Sequence, residues 1–314
     1  MKVHHNIDQL PLFRKAVITI GTFDGVHEGH RQIIRLLQSE AAAIGGETVL
    51  ITFHPHPRMV IPGDGEPIRI LNTLEEKIQL LAAYGIDHLV VVPFSNAFSV
   101  QSAEAYITDF LVARFHPHTI IIGYDHRFGK GRTGDYRLLE AMAEANSYNV
   151  KEIPQQVLQD AAISSTRIRQ ALKDADTDTA NALLGYPYFF SGDVVEGNKL
   201  GRTLGYPTAN LRPDNDDKLI PGNGVYAVEI TRPGNNTGRL QGMMNIGVRP
   251  TVDGTKRVIE VNIFDFDETI YGEILTIHIR KRLRSEINFN GLVALKAQLA
   301  TDKESAKQAL QEQE

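Results

Sequence analysis

Apolar, largely β-branched runs recur through the first half of the chain at residues 17–23, 48–53, 88–94, 119–123 and 150–153. Each is short enough for a strand buried on both faces. Between them the apolar period lengthens. Thr73, with Glu76 three residues on, makes a capping box ahead of Ile78, Leu81 and Ala82, and Gly85 stands where a helix would stop. Ile107, Phe110, Leu111 and Phe115 repeat at helical spacing over residues 103–115. Strands alternating with helices predict βαβ units and a parallel sheet, whose ligands bind beyond the C-terminal strand ends.

From Leu184-Gly185-Tyr186-Pro187 onward the pattern changes. Short strands are predicted at 189–195, 225–232, 240–246, 258–266 and 274–280, with turn signals such as Pro233-Gly234-Asn235-Asn236 between them. That spacing predicts a hairpin-rich antiparallel barrel, followed by an amphipathic helix over 289–310. The expected organisation is an α/β domain at 1–185 and an all-β domain with a terminal helix at 186–314.

A chain of 314 residues has room for two cores. With 42% apolar and 23% charged residues and no low-complexity tract, it reads as globular. A net charge of −5 gives no overall basic field for nucleic acid, and none is expected as a partner. Arg280-Lys281-Arg282-Leu283-Arg284 is the densest basic run and reads as a strand end with solvated charges. Cysteine is absent, which removes disulfides and thiol chemistry and suits a reducing compartment. The start, MKVHHNIDQL, lacks an apolar leader core, and no apolar run approaches the ~20 residues of a bilayer span. A cytoplasmic protein that is monomeric or weakly self-associating, with no membrane partner, is expected.

The chemistry concentrates at Gly21 to His30, GTFDGVHEGH, directly after the first apolar run. A strand that ends in a Gly turn and opens a helix offers backbone N–H groups and a positive dipole end to a phosphate. Gly21 and Gly25 allow close backbone approach. His27 and His30, three apart, share one face of the first turn, so both imidazoles can meet one anion. Zinc would need further ligands, which two histidines without cysteine do not provide. Three other polar segments follow strands or open helices. His54-Pro55-His56-Pro57 reads alone as a stiff turn, but its place at a strand end favours ligand contact. Tyr124-Asp125-His126-Arg127-Phe128-Gly129 follows the fourth run. Residues 129–134 match G-x-G-x-x-G without a strand immediately before, so they read as a mobile basic loop with Lys130 and Arg132. Ser164, Ser165 and Thr166 read as helix caps, and Arg167 with Arg169 just beyond them favours an anion.

In the second half the informative stretch is Gly201 to Asn210, GRTLGYPTAN. Gly197, Gly201 and Gly205 recur at fours, as tight turns would. Thr208 and Asn210 fall on one side of an extended segment, where hydroxyl and amide oxygens could meet a metal-bound phosphate. Neither a Walker A sequence nor the protein-kinase set is present, so a kinase here needs another scaffold. Glu260 alternates with Ile259, Val261 and Ile263 and so lies off the apolar face, a solvated carboxylate on its own evidence.

These segments carry a resemblance. Gly-x-Phe-Asp-Gly-x-His-x-Gly-His resembles the HxGH signature of the nucleotidyltransferase superfamily, in the form found in bacterial bifunctional riboflavin kinase/FAD synthetases. The His54–Pro57 loop, the segment around Asp125 and Arg127, and Ile163-Ser164-Ser165-Thr166-Arg167-Ile168-Arg169 are similar to further blocks of that family. Gly201–Asn210 resembles the riboflavin kinase signature, and Asn245-Ile246-Gly247-Val248-Arg249-Pro250-Thr251 its second block. Asn262 departs from the pattern, standing where relatives often carry His. The resemblance spans roughly residues 17–283.

The resemblance implies a Rossmann-like nucleotidyltransferase domain that adenylylates FMN to FAD, and a riboflavin-kinase barrel that makes FMN, both from ATP with Mg2+. It implies that His27 and His30 hold ATP phosphates with Gly21, Phe23, Asp24 and Gly25. Asp125, Arg127, Ser164, Ser165, Thr166 and Arg169 complete the nucleotide site, and His54, Pro55, His56 and Pro57 meet flavin. In the barrel it gives Gly201, Arg202, Gly205 and Pro207 to nucleotide, Thr208 and Asn210 to Mg2+ and nucleotide, and Glu260 to the flavin as general base. The alternatives are a flavin-binding regulator without turnover, or a nucleotidyltransferase with a non-catalytic barrel.

Overall fold

The computed structural model describes residues 1–61, 63, 66–153, 163–197, 200–233, 238–251 and 254–312. Two compact units divide the chain, Met1–Ser165 and Thr166–Glu314.

The first unit is built on a six-stranded parallel sheet: β1 (Lys2–His4), β2 (Val17–Ile20), β3 (Thr48–His54), β4 (His88–Pro93), β5 (Thr119–Gly123) and β6 (Asn149–Ile153), in the order β1-β4-β3-β2-β5-β6. Successive side chains feed opposite faces, as strand geometry requires. Val49, Ile51, Phe53, Val90 and Val92 pack with Ile107, Phe110 and Phe115 on one face, while Leu50, Leu89 and Val91 meet Ile34 and Leu81 on the other. The strand order reverses at β2, whose neighbours are β3 on one side and β5 on the other. That reversal opens a crevice at the carboxyl ends of β2 and β5.

The helix expected over 103–115 forms with a π-helical stretch, Tyr106–Val112, between Ala103–Ala105 and Ala113–Phe115. The capping box at Thr73 and Glu76 is present and opens the helix Leu74–Ala82. The 129–134 segment is pinned rather than loose. Phe128 and Gly134 exchange backbone hydrogen bonds of 3.1 and 2.9 Å, Lys130 N–H donates to the Gln101 carbonyl at 2.6 Å, and Gly129 lies against the Ala103 backbone, 2.7 Å from where a Cβ would stand.

The second unit carries a closed antiparallel barrel of β7 (Phe189–Val195), β8 (Ala209–Pro213), β9 (Gly224–Thr231), β10 (Leu240–Thr251), β11 (Gly254–Ile263) and β12 (Ile274–Arg284), in the order β10-β11-β8-β7-β12-β9. The hairpin of β10 and β11 runs further than the apolar pattern indicates. Pairs such as Arg249 with Lys256 continue the ladder without an apolar signal. The turn residues Gly234, Asn235 and Asn236 lie outside the described residues. Helices Ser165–Lys173 and Thr177–Leu184 precede the barrel, and Asn181 Nδ2 donates to the Ile279 carbonyl at 2.9 Å while its Oδ1 accepts Tyr188 N–H at 2.8 Å. The terminal helix Leu292–Gln311 buries Ala306, Ala309 and Leu310 against Ala227, Met243 and Phe264. Cations of the basic run are neutralised in place, Arg280 by Glu229 and Arg284 by Asp302. Among the described residues no helix is long and apolar enough to cross a membrane.

Candidate active sites

In the first unit the turn after β2 holds its shape against a conformational cost. Phe23 and Val26 adopt φ of +46° and +35°, which L side chains resist, with Gly25 at +91° between them. The Asp24 carboxylate accepts N–H bonds from Leu71 at 3.0 Å and Asn72 at 3.2 Å, and Ser165 Oγ donates to the Asp24 carbonyl at 2.8 Å. Phe23 and Asp24 are turned inward, 2% and 1% exposed. They shape the turn from below.

The helix Glu28–Ile44 starts one residue after His27, which caps it: His27 Nδ1 accepts the His30 N–H at 3.3 Å. The two imidazoles stack at 3.7 Å between centroids, 12° from parallel, with Phe23 4.8 Å from His30. Burial first, then His27 and Lys77 nearby, hold His30 well below the ordinary histidine pKa, so it is a neutral ring. Among the described residues its buried Nδ1 has no hydrogen-bond partner, as a donor or acceptor kept for a ligand would be. Gly29 leaves room for His27, whose ring is 3.2 Å from the position a Cβ would take.

The neighbouring strands bring the other segments alongside. His54 ends β3, and His56 caps the short helix Pro57–Val60 by accepting Arg58 N–H at 3.1 Å. Asp125 and Arg127 are exposed just past β5, with Arg127 Nη1 folded back onto the His126 carbonyl at 3.0 Å. Ser164 and Ser165 end this unit, whereas Thr166 and Arg169 belong to the helix of the second. Sequence reasoning missed Lys77. It occupies a helix and reads as a solvated cation, yet it is 6% exposed and its Nζ donates to the Thr22 carbonyl at 2.7 Å.

In the barrel, register does the gathering. Asn210 on β8 lies directly opposite Glu260 on β11, and Asn245 of β10 is the partner of Glu260 on its other side. Directly paired residues in an antiparallel ladder point to the same face, so the Glu260 carboxylate and the Asn210 amide share one surface. Gly197 lies against that amide: a Cβ there would stand 2.1 Å from Asn210 Nδ2. A Cβ on Gly201 would stand 2.3 Å from the Tyr206 carbonyl and 3.4 Å from Thr208 Oγ1, so Thr208 faces the same turn. Gly205 is at φ +83°. Arg202 is exposed on the helix Leu200–Leu204, and Pro207 is exposed ahead of Thr208.

Two further residues bear on this surface. Arg249 reaches both Glu260 and Glu286 at 3.3 Å. Asn262, 6% exposed, donates from Nδ2 to the Pro207 carbonyl at 2.7 Å, where backbone pairing of β8 with β11 has ended at Ala209 and Val261. In the sequence Arg249 stood only within the second block of the resemblance and Asn262 only as a departure from it, and a polar residue at a strand position carries no signal of these contacts. Among the described residues, no cluster of three or more His, Cys, Asp or Glu could hold a metal ion. The oxygen donors of Thr208 and Asn210 instead suit a hard cation that arrives with phosphate.

Comparison with known proteins agrees with this division. Residues 10–167 match the family described as FAD synthetase, and residues 184–310 the family described as riboflavin kinase. A bifunctional riboflavin kinase/FMN adenylyltransferase of Escherichia coli K12 is 38% identical over 97% of this chain and 95% of its own. The protein of the same description from Bacillus subtilis is 37% identical over 93% and 92%. A solved Streptococcus pneumoniae structure described as a macrolide-efflux protein superposes with a TM-score of 0.84 at 29% identity, covering 98% of each chain.

Proposed function

The chain belongs to the bifunctional riboflavin kinase/FMN adenylyltransferase family, and we propose that its two reactions are run by the two residue sets described above. The family activity is phosphorylation of riboflavin by ATP to FMN, then adenylylation of FMN to FAD with release of pyrophosphate. Residues up to 185 are assigned to the second reaction and residues 186–314 to the first, in line with the spans of the two family matches. What supports the placement is that each half gathers its polar residues on one surface: stacked His27 and His30 beyond the switch-point strand, and Glu260 opposite Asn210.

Adenylylation needs no strong base, because the FMN phosphate is already an anion. It needs alignment on the α-phosphorus and compensation of charge on the departing pyrophosphate. The N-terminus of Glu28–Ile44, the turn at Gly21 and Gly25, and the imidazole N–H groups of His27 and His30 supply dipoles for those phosphates. Ser164 and Ser165 add hydroxyls, with Thr166 and Arg169 taken from the resemblance. Asp125 and Arg127 at the end of β5 are assigned to the nucleotide. His54, Pro55, His56 and Pro57 at the end of β3 are assigned to the flavin.

In the barrel, Glu260 takes the proton of the terminal ribityl hydroxyl as that oxygen attacks the γ-phosphorus of ATP and ADP leaves. Mg2+ would be held by Thr208 Oγ1 and the Asn210 side-chain oxygen, and when bound supplies charge compensation on the phosphates. Gly201 and Gly205 give the nucleotide access to backbone, with Arg202 and Pro207 at the rim. The enzyme is assigned to the cytoplasm, where ATP is supplied, and to small-molecule substrates, acting as a monomer or weak homo-oligomer.

The test is a chromatographic time course with riboflavin, ATP and magnesium, run for wild type, His27→Ala and Glu260→Ala. Wild type is expected to form FMN, then FAD. His27→Ala should stop at FMN, and Glu260→Ala should form no FMN yet convert added FMN. Wild-type rates for either variant would refute its assigned role.

A further inference from the structure

Beneath the turn that follows β2 lies a buried cation that the reaction as described leaves unused. Lys77 extends from the helix Leu74–Ala82, is 6% exposed, and donates to the Thr22 carbonyl at 2.7 Å. Thr52 Oγ1 donates to the same carbonyl at 3.0 Å, so both lone pairs of that oxygen are engaged from the core side. In a trans peptide the next N–H points opposite to the carbonyl. Drawing the Thr22 carbonyl inward therefore aims the Phe23 N–H outward, beyond the strand end. A buried ammonium is costly to keep. Its own desolvation lowers the Lys77 pKa, opposed by Asp24.

The turn needs such an anchor. Phe23 and Val26 sit at positive φ, a conformation that relaxes unless the surroundings enforce it. The Asp24 carboxylate fixes the far side of the turn through Leu71 and Asn72, and Lys77 fixes the near side.

We propose that Lys77 is a positioning residue for phosphate binding: it holds the Thr22 carbonyl inward and so keeps the outward face of the turn set for the pyrophosphate portion of ATP. The inference rests on the reading that this turn receives those phosphates. It concerns the phosphate end of the ligand and leaves the flavin end alone.

The reverse reaction separates the two ends. Pyrophosphate attacks the adenylyl phosphorus of FAD, the bond to the FMN phosphate breaks, and ATP and FMN form. For Lys77→Met, the KM for pyrophosphate should rise about tenfold or more while the KM for FAD stays within about twofold, the loss expected for a hydrogen bond to a charged group. Lys77→Gln keeps a donor and should fall between Met and wild type. A KM for FAD within about twofold of wild type reports that the first unit, which carries Lys77, is folded, and if Lys77→Met has lost the reverse reaction altogether the Gln variant carries the test. An unchanged KM for pyrophosphate would overturn the proposal, as would equal rises for both substrates. His27→Ala and His30→Ala are measured beside them. Wild-type KM for pyrophosphate in those two would instead sink the reading of the site.

Discussion

Substituting Gly197 by alanine should slow one activity roughly a hundredfold and spare the fold. The added Cβ would lie 2.1 Å from Asn210 Nδ2 and 2.4 Å from its Cγ, where ordinary contact begins at 3.4 Å, so the amide must retreat by about 1.3 Å. The clashing atoms are the end of a side chain, which can rotate away. Relief is therefore cheap for stability and expensive for function, because the displaced atoms are those assigned to the metal-bound phosphate. A misplacement of about 1 Å in a catalytic arrangement costs on the order of 10²-fold in rate, or about 2.7 kcal/mol of activation free energy. The assay follows FMN formation from riboflavin and FAD formation from added FMN in one preparation. Expected are a roughly hundredfold slower first step, an unchanged second step and a melting temperature within about 2 °C of wild type. A Gly197→Ala protein that phosphorylates riboflavin at the wild-type rate would refute the role given to Asn210.

Two further outcomes follow from ion and proton balance. His4 Nε2 and His88 Nδ1 share one hydrogen bond of 3.0 Å, and burial leads the causes that lower both pKa values from 6.5. The unfolded chain therefore takes up protons first, so stability from this pair is complete above about pH 6.5 and declines as pH falls toward the depressed folded values. The protection factors of the Leu89 and Val90 amides, taken against the intrinsic exchange rate at each pH, should fall on acidification, and pH-independent protection factors would remove the pair from the account. Asp302 accepts Arg284 Nε at 2.8 Å and Nη2 at 2.6 Å, so Asp302→Ala should cost the barrel unit about 2 kcal/mol in denaturant unfolding, with FMN adenylylation intact.

Much of this molecule was legible because its chemistry sits where local patterns are strong. The apolar runs gave five of six parallel strands, and the Gly turn with two histidines marked the switch-point strand. The missed strand, Lys2–His4, has three residues and no alternation to read. The capping role of His27 places it outside the helix, yet its ring still meets that of His30, since spacing alone governs that approach. Parity placed Glu260 off the apolar face. It could not supply Asn210 as its partner, because that pairing depends on register between strands far apart in the chain. Lys77 was illegible for another reason: a helical lysine has the same sequence appearance whether its ammonium meets water or a carbonyl.

The His4–His88 bond has a consequence for solubility. β1 covers one edge of the open sheet, pairing with β4 at Lys2–His88, Val3–Leu89 and His4–Val90. β4 beneath it reads HLVVVP, an apolar strand whose exposed backbone would template pairing with another chain. The opposite edge, β6, is guarded by polar residues, with Lys151 paired to Glu40, and the barrel has no edge at all. A three-residue strap tied by two imidazoles is therefore the molecule's cover against self-association. Acid that loosens it should bare the backbone of β4, so light scattering of the acidified protein is expected to rise, and unchanged scattering would refute this role for β1.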